Sequence, residues 1–277
     1  MADKVYHLKC KDHLVSGEEF RLEQLQDFDI LETLPKPENL SAYYESDAYI
    51  SHTDSSKSVT DKIYHAVKNF MLLQKLKWIN KVAKGNNLLD IGAGTGDFLQ
   101  TAKRKNWNVE GVEPNEQARK LAAEKGIKLQ QDLSSFEEDS FDVISMWHVL
   151  EHVPNLEVQL KELHRLLKPN GVAVIAVPNF KSFDAEYYKE YWAAYDVPRH
   201  LWHFTQDGIS KLFKENNFEK FETKPLVFDS FYVSLLSEKN KTGKANFLNA
   251  LKLGLKSNLK AQSSSEYSSL VYFFLKS

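Results

Sequence analysis

The sequence predicts an α/β protein: a doubly wound, mostly parallel sheet with helices on both faces. Three observations carry this reading. Between residues 87 and 177, short apolar strand-like runs alternate with stretches of helical periodicity. The run Val-Ala-Val-Ile-Ala-Val at 172–177 is apolar at every position, as a strand buried on both faces of a parallel sheet must be. Finally, the glycine-rich turn at 92–96 lies between a strand and a helix, where such folds bind ligands.

The elements follow in order. Residues 1–57 read as an irregular appendage of short hydrophobic pieces separated by charge. From Thr60, Ile63, Val67, Phe70/Met71, Leu76, Ile79 and Val82/Ala83 recur near the 3.6 period, and Gly85 ends a long amphipathic helix leading into the main domain, 58–277. Asn-Leu-Leu-Asp-Ile (87–91) is a first strand and 97–105 a helix. Residues 107–113 are a second strand, and 115–126 a helix with Asn115 as N-cap and Gly126 just past its end. Ile-Lys-Leu-Gln-Gln is a third strand and 141–147 a fourth. Leu156, Leu160, Leu163 and Leu167 mark a helix that stops at the turn Lys-Pro-Asn-Gly, and 172–177 is a fifth strand. After Asn179 the alternation breaks for an insertion at about 180–205. A helix capped by Thr205, a strand at 218–224, one helix within 237–266 and a last strand at Ser-Ser-Leu-Val-Tyr-Phe-Phe-Leu-Lys complete the chain.

Bulk composition narrows the function. The 277 residues are 42% hydrophobic, enough for a substantial core, and the formal charge of −2 gives no electrostatic drive toward nucleic acid. A single cysteine, Cys10, excludes an intrachain disulfide. The first residues contain no apolar segment of signal-peptide length, and the longest apolar runs are too short to span a bilayer. A soluble cytoplasmic protein is the expectation.

The strongest chemical signal is Asp90-Ile91-Gly92-Ala93-Gly94-Thr95-Gly96-Asp97. Glycines here let the chain reverse tightly and a ligand lie against the backbone. Dinucleotide binders want glycine or alanine three residues after Gly94, with the pyrophosphate on the helix N-terminus. That position is Asp97, whose carboxylate would repel a pyrophosphate, so the turn suits a nucleoside without phosphates.

On these residues the chain resembles the class I S-adenosylmethionine-dependent methyltransferases, in order over about 85–224. The resemblance implies a Rossmann-like seven-stranded sheet and S-adenosyl-L-methionine as cofactor. It implies contacts from Asp90, Gly92, Ala93, Gly94 and Gly96 in the first motif. Glu113, with Pro114, closes the second strand and would accept the ribose hydroxyls. Asp132 and Leu133 would meet the adenine, and Met146 and Trp147 the methionine end. The segment also resembles small-molecule methyltransferases of the quinone-biosynthesis kind, which implies a small-molecule acceptor. The Asn/Asp-Pro-Pro-aromatic motif of nucleic-acid amino-methylases is replaced by Met-Trp-His-Val-Leu-Glu, so no nucleic-acid partner is expected. Two alternatives remain open: a nucleotide-dependent oxidoreductase, and a catalytically silent binding protein on the same fold.

Histidines supply the candidates for chemistry. His148 and His152 follow the fourth strand and share a face if His-Val-Leu-Glu-His is helical, with Glu151 beside them. His148 is the candidate for the cofactor or acceptor pocket, or for a general base, and His152 for a supporting role. The stretch Ala-Tyr-Asp-Val-Pro-Arg-His-Leu-Trp-His-Phe-Thr at 194–205 adds Arg199, His200 and His203. It reads either as a wall of the acceptor pocket, with His200 favoured over His203, or as a structural corner. In the corner reading Asp196 pairs with Arg199 and the histidines cap backbone carbonyls. No metal is expected. A subgroup of relatives carries a cysteine-rich zinc ribbon ahead of the main domain, followed by a tyrosine-rich segment like Tyr43-Tyr44 to Tyr49. With only Cys10 beside His7 and His13, the N-terminal segment reads as a metal-free remnant packed on the main domain. The Tyr43–His52 stretch reads either as a lid or as ordinary packing.

Overall fold

The computed structural model describes residues 5–25, 27–44 and 59–277. The main sheet has strands β4 (Asn87–Ile91), β5 (Asn108–Val112), β6 (Phe141–Trp147), β7 (Leu167–Pro178), β9 (Phe218–Pro225) and β10 (Ser269–Lys276), ordered β5-β4-β6-β7-β10-β9. The first four are parallel, and β10 runs antiparallel between β7 and β9. The expected third strand shrinks to one bridge, Gln130 to Val112, so among the described residues this sheet has six strands where seven were expected. Only Ile127 and Leu129 of that segment are buried, too little to hold a longer edge strand.

Period two sorts the strand residues onto two cores. Leu88, Val143, Val172, Val174, Ala176, Val271 and Phe273 face Leu76 and Ile79 of α1 (Val59–Val82), Phe98 and Leu99 of α2 (Asp97–Lys103), and Ala122 of α3 (Glu116–Glu124). Leu89, Ile144, Met146, Ala173, Ile175 and Val177 face the other way. Their partners are Leu156, Leu160 and Leu163 of α4 (Leu156–Leu166) and Ile209, Leu212 and Phe213 of α6 (Gln206–Glu215). Asn115 and Thr205 cap α3 and α6 as expected, accepting from the Ala118 and Gly208 N–H groups. Lys-Pro-Asn-Gly is no free turn: α4 ends at Leu166 and the chain passes straight into β7.

The N-terminal segment is not irregular. β1 (Val5–Lys11), β2 (Glu19–Gln24) and β3 (Ile30–Leu34) form an antiparallel meander, and β8 (Trp202–Phe204) adds a fourth strand. β8 is the end of the 194–205 stretch, paired as Ile30↔Phe204, Leu31↔His203 and Glu32↔Trp202. Cys10, Phe20, Leu22 and Leu31 bury against Tyr188, Trp192, Tyr195 and Val197 of the insertion, which holds the short α5 (Phe183–Tyr188). The Cys10 thiol is pushed up by burial and is inert packing.

A buried ion cluster locks this sheet to the insertion. The Arg199 side chain is 1% exposed; it donates to Asp12 Oδ1 at 3.0 Å and to Asp196 Oδ1 at 2.7 Å. Asp12 also accepts from the N–H groups of Leu14, Val15 and Ser16, which orders the β1–β2 loop. Burial pushes the Asp12 carboxyl up, but the Ser16 N–H and the Arg199 guanidinium outweigh it and hold it below the usual range. Its contribution to stability is therefore present above the ordinary carboxylate pKa and is lost as pH falls through the depressed folded value. Arg199→Ala, which strands the buried carboxylate, is expected to cost about 3–5 kcal/mol in denaturant unfolding, with Arg199→Lys recovering only part. A loss under about 1 kcal/mol would show that the cluster does not hold the two parts together.

Candidate functional site

The site lies at the carboxyl edge of the parallel strands, where β4, β5 and β6 end. Gly92 and Ala93 donate their N–H groups to the Val112 carbonyl at 2.8 and 2.9 Å, which ties the glycine turn to β5, and Gly96 donates back to Ala93. Gly94 is the exposed point of this turn. Its φ is +53°, a region that favours glycine, and a Cβ built there meets nothing within 4 Å. The turn therefore opens onto space that a ligand can occupy. Beside it, Glu113 accepts from the Gly94 and Asn115 N–H groups at 2.9 Å each. Pro114 and Asp132 are exposed, Asp132 is held by Ser134, and Leu133 packs at the rim of the core.

Other candidates are placed differently from the sequence reading. Met146 is fully buried in the core, so its side chain does not face a ligand. Trp147 packs edge-to-face on Phe98, and its buried Nε1 has no hydrogen-bond partner. Asp97 is not a free carboxylate: Lys68 and Lys125 each pair with it at 2.7 Å. Repulsion of a pyrophosphate by Asp97 therefore loses its force. What distinguishes the turn from a dinucleotide loop is the missing third small residue itself.

A second group lies beyond β6. Asp90 is buried and accepts from the Ser145 hydroxyl at 2.6 Å, with Lys75 of α1 nearby, its Nζ 4.2 Å from the centre of the Trp147 ring. Burial pushes the Asp90 carboxyl up to about 7, against the pull of Ser145 and Lys75. His148 has φ +57° and so starts no helix; the following turn, Leu150–His152, is a single 3₁₀ turn. His148 and His152 consequently diverge instead of sharing a face. His148 places Nε2 at 3.0 Å from Asp229 Oδ2, at the start of α7 (Asp229–Thr242), and Nδ1 at 3.3 Å from Glu151 Oε1. Burial works against its charge, but Asp229 and Glu151 win and raise its pKa to about 10. Glu151 is fully buried, and neither carboxylate oxygen completes a hydrogen bond of ordinary geometry. Burial disfavours its ionised form, yet the protonated His148 holds it below the usual range.

His152 turns the other way, its Nδ1 at 3.0 Å from both the Arg199 carbonyl and the Tyr44 hydroxyl. His200 is buried, with Nδ1 at 2.9 Å from the Ala194 carbonyl, and packs edge-to-face on His152 at 4.5 Å. Burial pushes its pKa down to about 4. His203 sits inside β8, bonded through Nε2 to Thr33 Oγ1 at 2.9 Å, and Thr33 donates to the His200 carbonyl. Two elements of the corner reading are thus present, the Asp196–Arg199 pair and a histidine against a backbone carbonyl. Among the described residues, Glu151, His152 and His200 form a group whose ligating atoms lie within 4.8 Å of one another. This is a different trio from the helical pair expected at 148 and 152. His7 and Tyr49 fall where side-chain placement is not described, and the stretch from 45 to 52 lies outside the described residues.

His148, Glu151, His200, Asp229, Tyr232 and Trp192 line part of a cleft of about 810 Å³. A smaller hollow, about 540 Å³, lies by Asn87, Asn108 and Phe141 at the opposite ends of the strands, the wrong edge for ligands of such folds.

A methyltransferase-domain family matches residues 65–223, more than half of the chain. The chain belongs to that family. Its fold is that of the class I S-adenosylmethionine-dependent methyltransferases. A ubiquinone biosynthesis O-methyltransferase of Bradyrhizobium diazoefficiens is 30% identical over 161 residues, 53% of this chain and 64% of that protein. A demethylmenaquinone methyltransferase of Staphylococcus aureus is 33% identical over 125 residues, 39% of this chain and 52% of that one. The match thus spans less than two thirds of these relatives' lengths. In fold, the chain is similar to an S-adenosylmethionine-dependent methyltransferase of Thermotoga maritima. The TM-score is 0.53 and the identity 19%, covering 78% of this chain and 96% of that one. A Haemonchus contortus phosphoethanolamine N-methyltransferase solved with S-adenosylmethionine gives a TM-score of 0.52 at 21% identity, covering 74% and 52%.

In this methyltransferase fold, Lys75, Ser145 and Asp229 were missed by sequence reasoning. Lys75 lies in a helix whose periodicity signals only packing, and Asp229 starts a helix with no motif around it. The histidines give a direct test. Followed by NMR between about pH 5 and 8, His148 should stay protonated and His200 neutral. The His200 value lies below its ordinary 6.5, so the unfolded chain takes up a proton first, and stability should fall as pH drops from 6.5 toward about 4. The His148 value lies above 6.5, so its contribution is complete below that pH and fades as pH rises through about 10. A His148 titration midpoint near 6.5 would show that the Asp229–His148–Glu151 arrangement is absent in solution.

Proposed function

We propose that this protein transfers a methyl group from S-adenosylmethionine to a small-molecule acceptor held in the cleft beside His148. The observation that carries this reading is the open space over Gly94, next to Glu113, at the sheet edge that also bears the cleft. Bound there, the cofactor supplies a methyl group already activated on sulfonium sulfur. The 92–96 turn would lie against it, Glu113 and Pro114 would meet the ribose, and Asp132 and Leu133 the adenine. Trp147, with its unpartnered indole N–H, and Lys75 would meet the methionine end.

The chain's task is then to orient the acceptor, since alignment alone can supply about 7–11 kcal/mol of such a barrier. The cleft has the size of a small-molecule pocket. Glu151 is buried in its wall with the His148 imidazolium beside it and no hydrogen bond of ordinary geometry, so its carboxylate is suited to accept from a hydroxyl or amine donor. The His148 imidazolium beside it favours the ionised form of a hydroxyl and does not serve as a general base, its proton being held by two carboxylates. His200, neutral, offers its ring to the same wall. Arg199 and His203 act through position, the one fixing the corner and the other clamping it to β3. The names of the curated relatives favour a phenolic or quinone-derived acceptor. Of the Glu151–His152–His200 trio, Glu151 and His200 serve as part of the polar floor of the cleft, because His148 already balances the Glu151 charge without a cation.

Calorimetry with S-adenosylhomocysteine and with NAD separates this reading from an oxidoreductase. The wild type should bind only the former, Gly94→Leu should lose it while keeping a native circular dichroism spectrum, and Glu113→Ala should bind about 1.5–3 kcal/mol more weakly. Asp132→Ala should cost less. Unchanged affinity in a folded Gly94→Leu protein would defeat the assignment of the turn. For the cleft, Glu151→Gln is expected to lower methyl transfer to a phenolic acceptor by about 10²-fold with cofactor affinity intact. The same preparation should contain no stoichiometric metal by elemental analysis, and about one metal per chain lost in Glu151→Gln would overturn the polar-floor reading.

A further inference from the structure

The helix α8 (Phe247–Ser264) is built inside out. Its buried face is Ala250, Leu253, Gly254, Ser257 and Ala261, mostly small residues. Gly254 is pressed against α7: a Cβ there would come within 2.6 Å of the Phe231 ring and 2.9 Å of its backbone. Ser257 donates to the buried Asp184 of α5 at 2.6 Å, and Ser230 of α7 donates to the Gly254 carbonyl at 3.2 Å. The large apolar side chains point outward. Phe247, Leu248, Leu251, Leu255 and Leu259 are 52–83% exposed. At 3.6 residues per turn they fill an arc of about 120°, followed by about 80° holding Lys252, Lys256 and Lys260, with the small residues on the remaining side.

Small residues at a helix–helix contact with leucines turned outward is how helices pack where the surroundings are apolar. In water the leucine arc is an exposed apolar patch that calls for a cover. Charge identifies the cover. Between Glu238 and Glu266 the chain has six lysines, at 239, 241, 244, 252, 256 and 260, and no acidic residue, within a protein of net charge −2. A second copy seated on the same face by twofold symmetry would bring these lysines against their own counterparts with no acid between them. An anionic lipid surface satisfies both halves at once, taking leucines into the acyl boundary and lysines among the headgroups. No described helix is long and apolar enough to cross a membrane, so α8 would lie on the surface.

We propose that α8 is a docking face for anionic lipid bilayers. This holds independently of which acceptor the cleft takes. The test is co-sedimentation of the full chain with phosphatidylcholine vesicles containing about 25% phosphatidylglycerol, and with phosphatidylcholine alone. Binding is expected to the anionic vesicles, at least about tenfold weaker to the neutral ones, and to fall with added salt. Leu248→Glu/Leu251→Glu should reduce binding by about tenfold or more, with the circular dichroism spectrum and S-adenosylhomocysteine affinity unchanged. Replacing Lys252, Lys256 and Lys260 by Gln should weaken binding to anionic vesicles and leave the neutral ones unaffected. Absence of wild-type binding, or leucine variants that bind as well as wild type, would overturn the proposal. So would a concentration-dependent dimer in analytical ultracentrifugation that Leu248→Glu abolishes.

Discussion

The cleft side of the site hangs on one guanidinium. Arg199 joins Asp12, in the loop after β1, to Asp196, at the start of the corner, and it does so without access to water. Removing Arg199 would leave the buried Asp12 carboxylate without its counter-charge, which is strongly destabilising. The guanidinium therefore holds the two acids together, and that rigidity passes on. The backbone around Arg199 is stitched to the turn after β6 by Leu201 N–H to the Glu151 carbonyl at 2.8 Å and by Trp202 Nε1 to the Val153 carbonyl at 2.7 Å. The Arg199 carbonyl meets His152. The N-terminal sheet, the corner and the Glu151 turn form one body, with the cleft between it and α7.

The cleft in turn is organised by alternating charge. Along the carboxyl edge run Asp90, Lys75, Asp229, His148 and Glu151, drawn from β4, α1, α7 and the turn after β6. Burial works against charge at Lys75, Asp90, His148 and Glu151, and the opposite charges beside them work against burial. His148 is the hinge of the series, since its charge compensates two carboxylates at once. A histidine so placed holds its proton between two carboxylates.

The sequence disclosed what local periodicity encodes and hid what distant pairing decides. The β/α alternation, both core faces of β7, the caps at Asn115 and Thr205 and the glycine turn were legible because each follows from neighbours within a few residues. The N-terminal sheet was not. Its strands are short and heavily charged, with Glu19, Arg21 and Glu23 on the open face of β2, and its fourth strand lies some 170 positions away. The divergence of His148 and His152 was equally hidden, because it depends on one backbone angle, φ +57° at His148, that no spacing rule predicts. Asp97 misled for a related reason: Lys68, from the preceding helix, and Lys125, beyond the following one, cancel its charge in space and not in sequence.

α7 connects the two ends of this design. Its first residue, Asp229, fixes His148, and its Phe231 forms the seat on which Gly254 of α8 rests. Tyr232, Val233 and Leu236 of the same helix line the cleft, which continues to Gly243, just before α8 begins. The cleft therefore has a charged end at the sheet edge, where His148 faces Glu151 and Asp229, and runs past Tyr232, Val233 and Leu236 to Lys239, Asn240 and Gly243 at the root of the leucine-faced helix. The same helix thus faces the charged end of the cleft through Asp229 and carries the seat of α8 through Phe231. That common dependence on α7 explains why a segment with no motif of its own carries both an acid at the site and the support for an exposed apolar face.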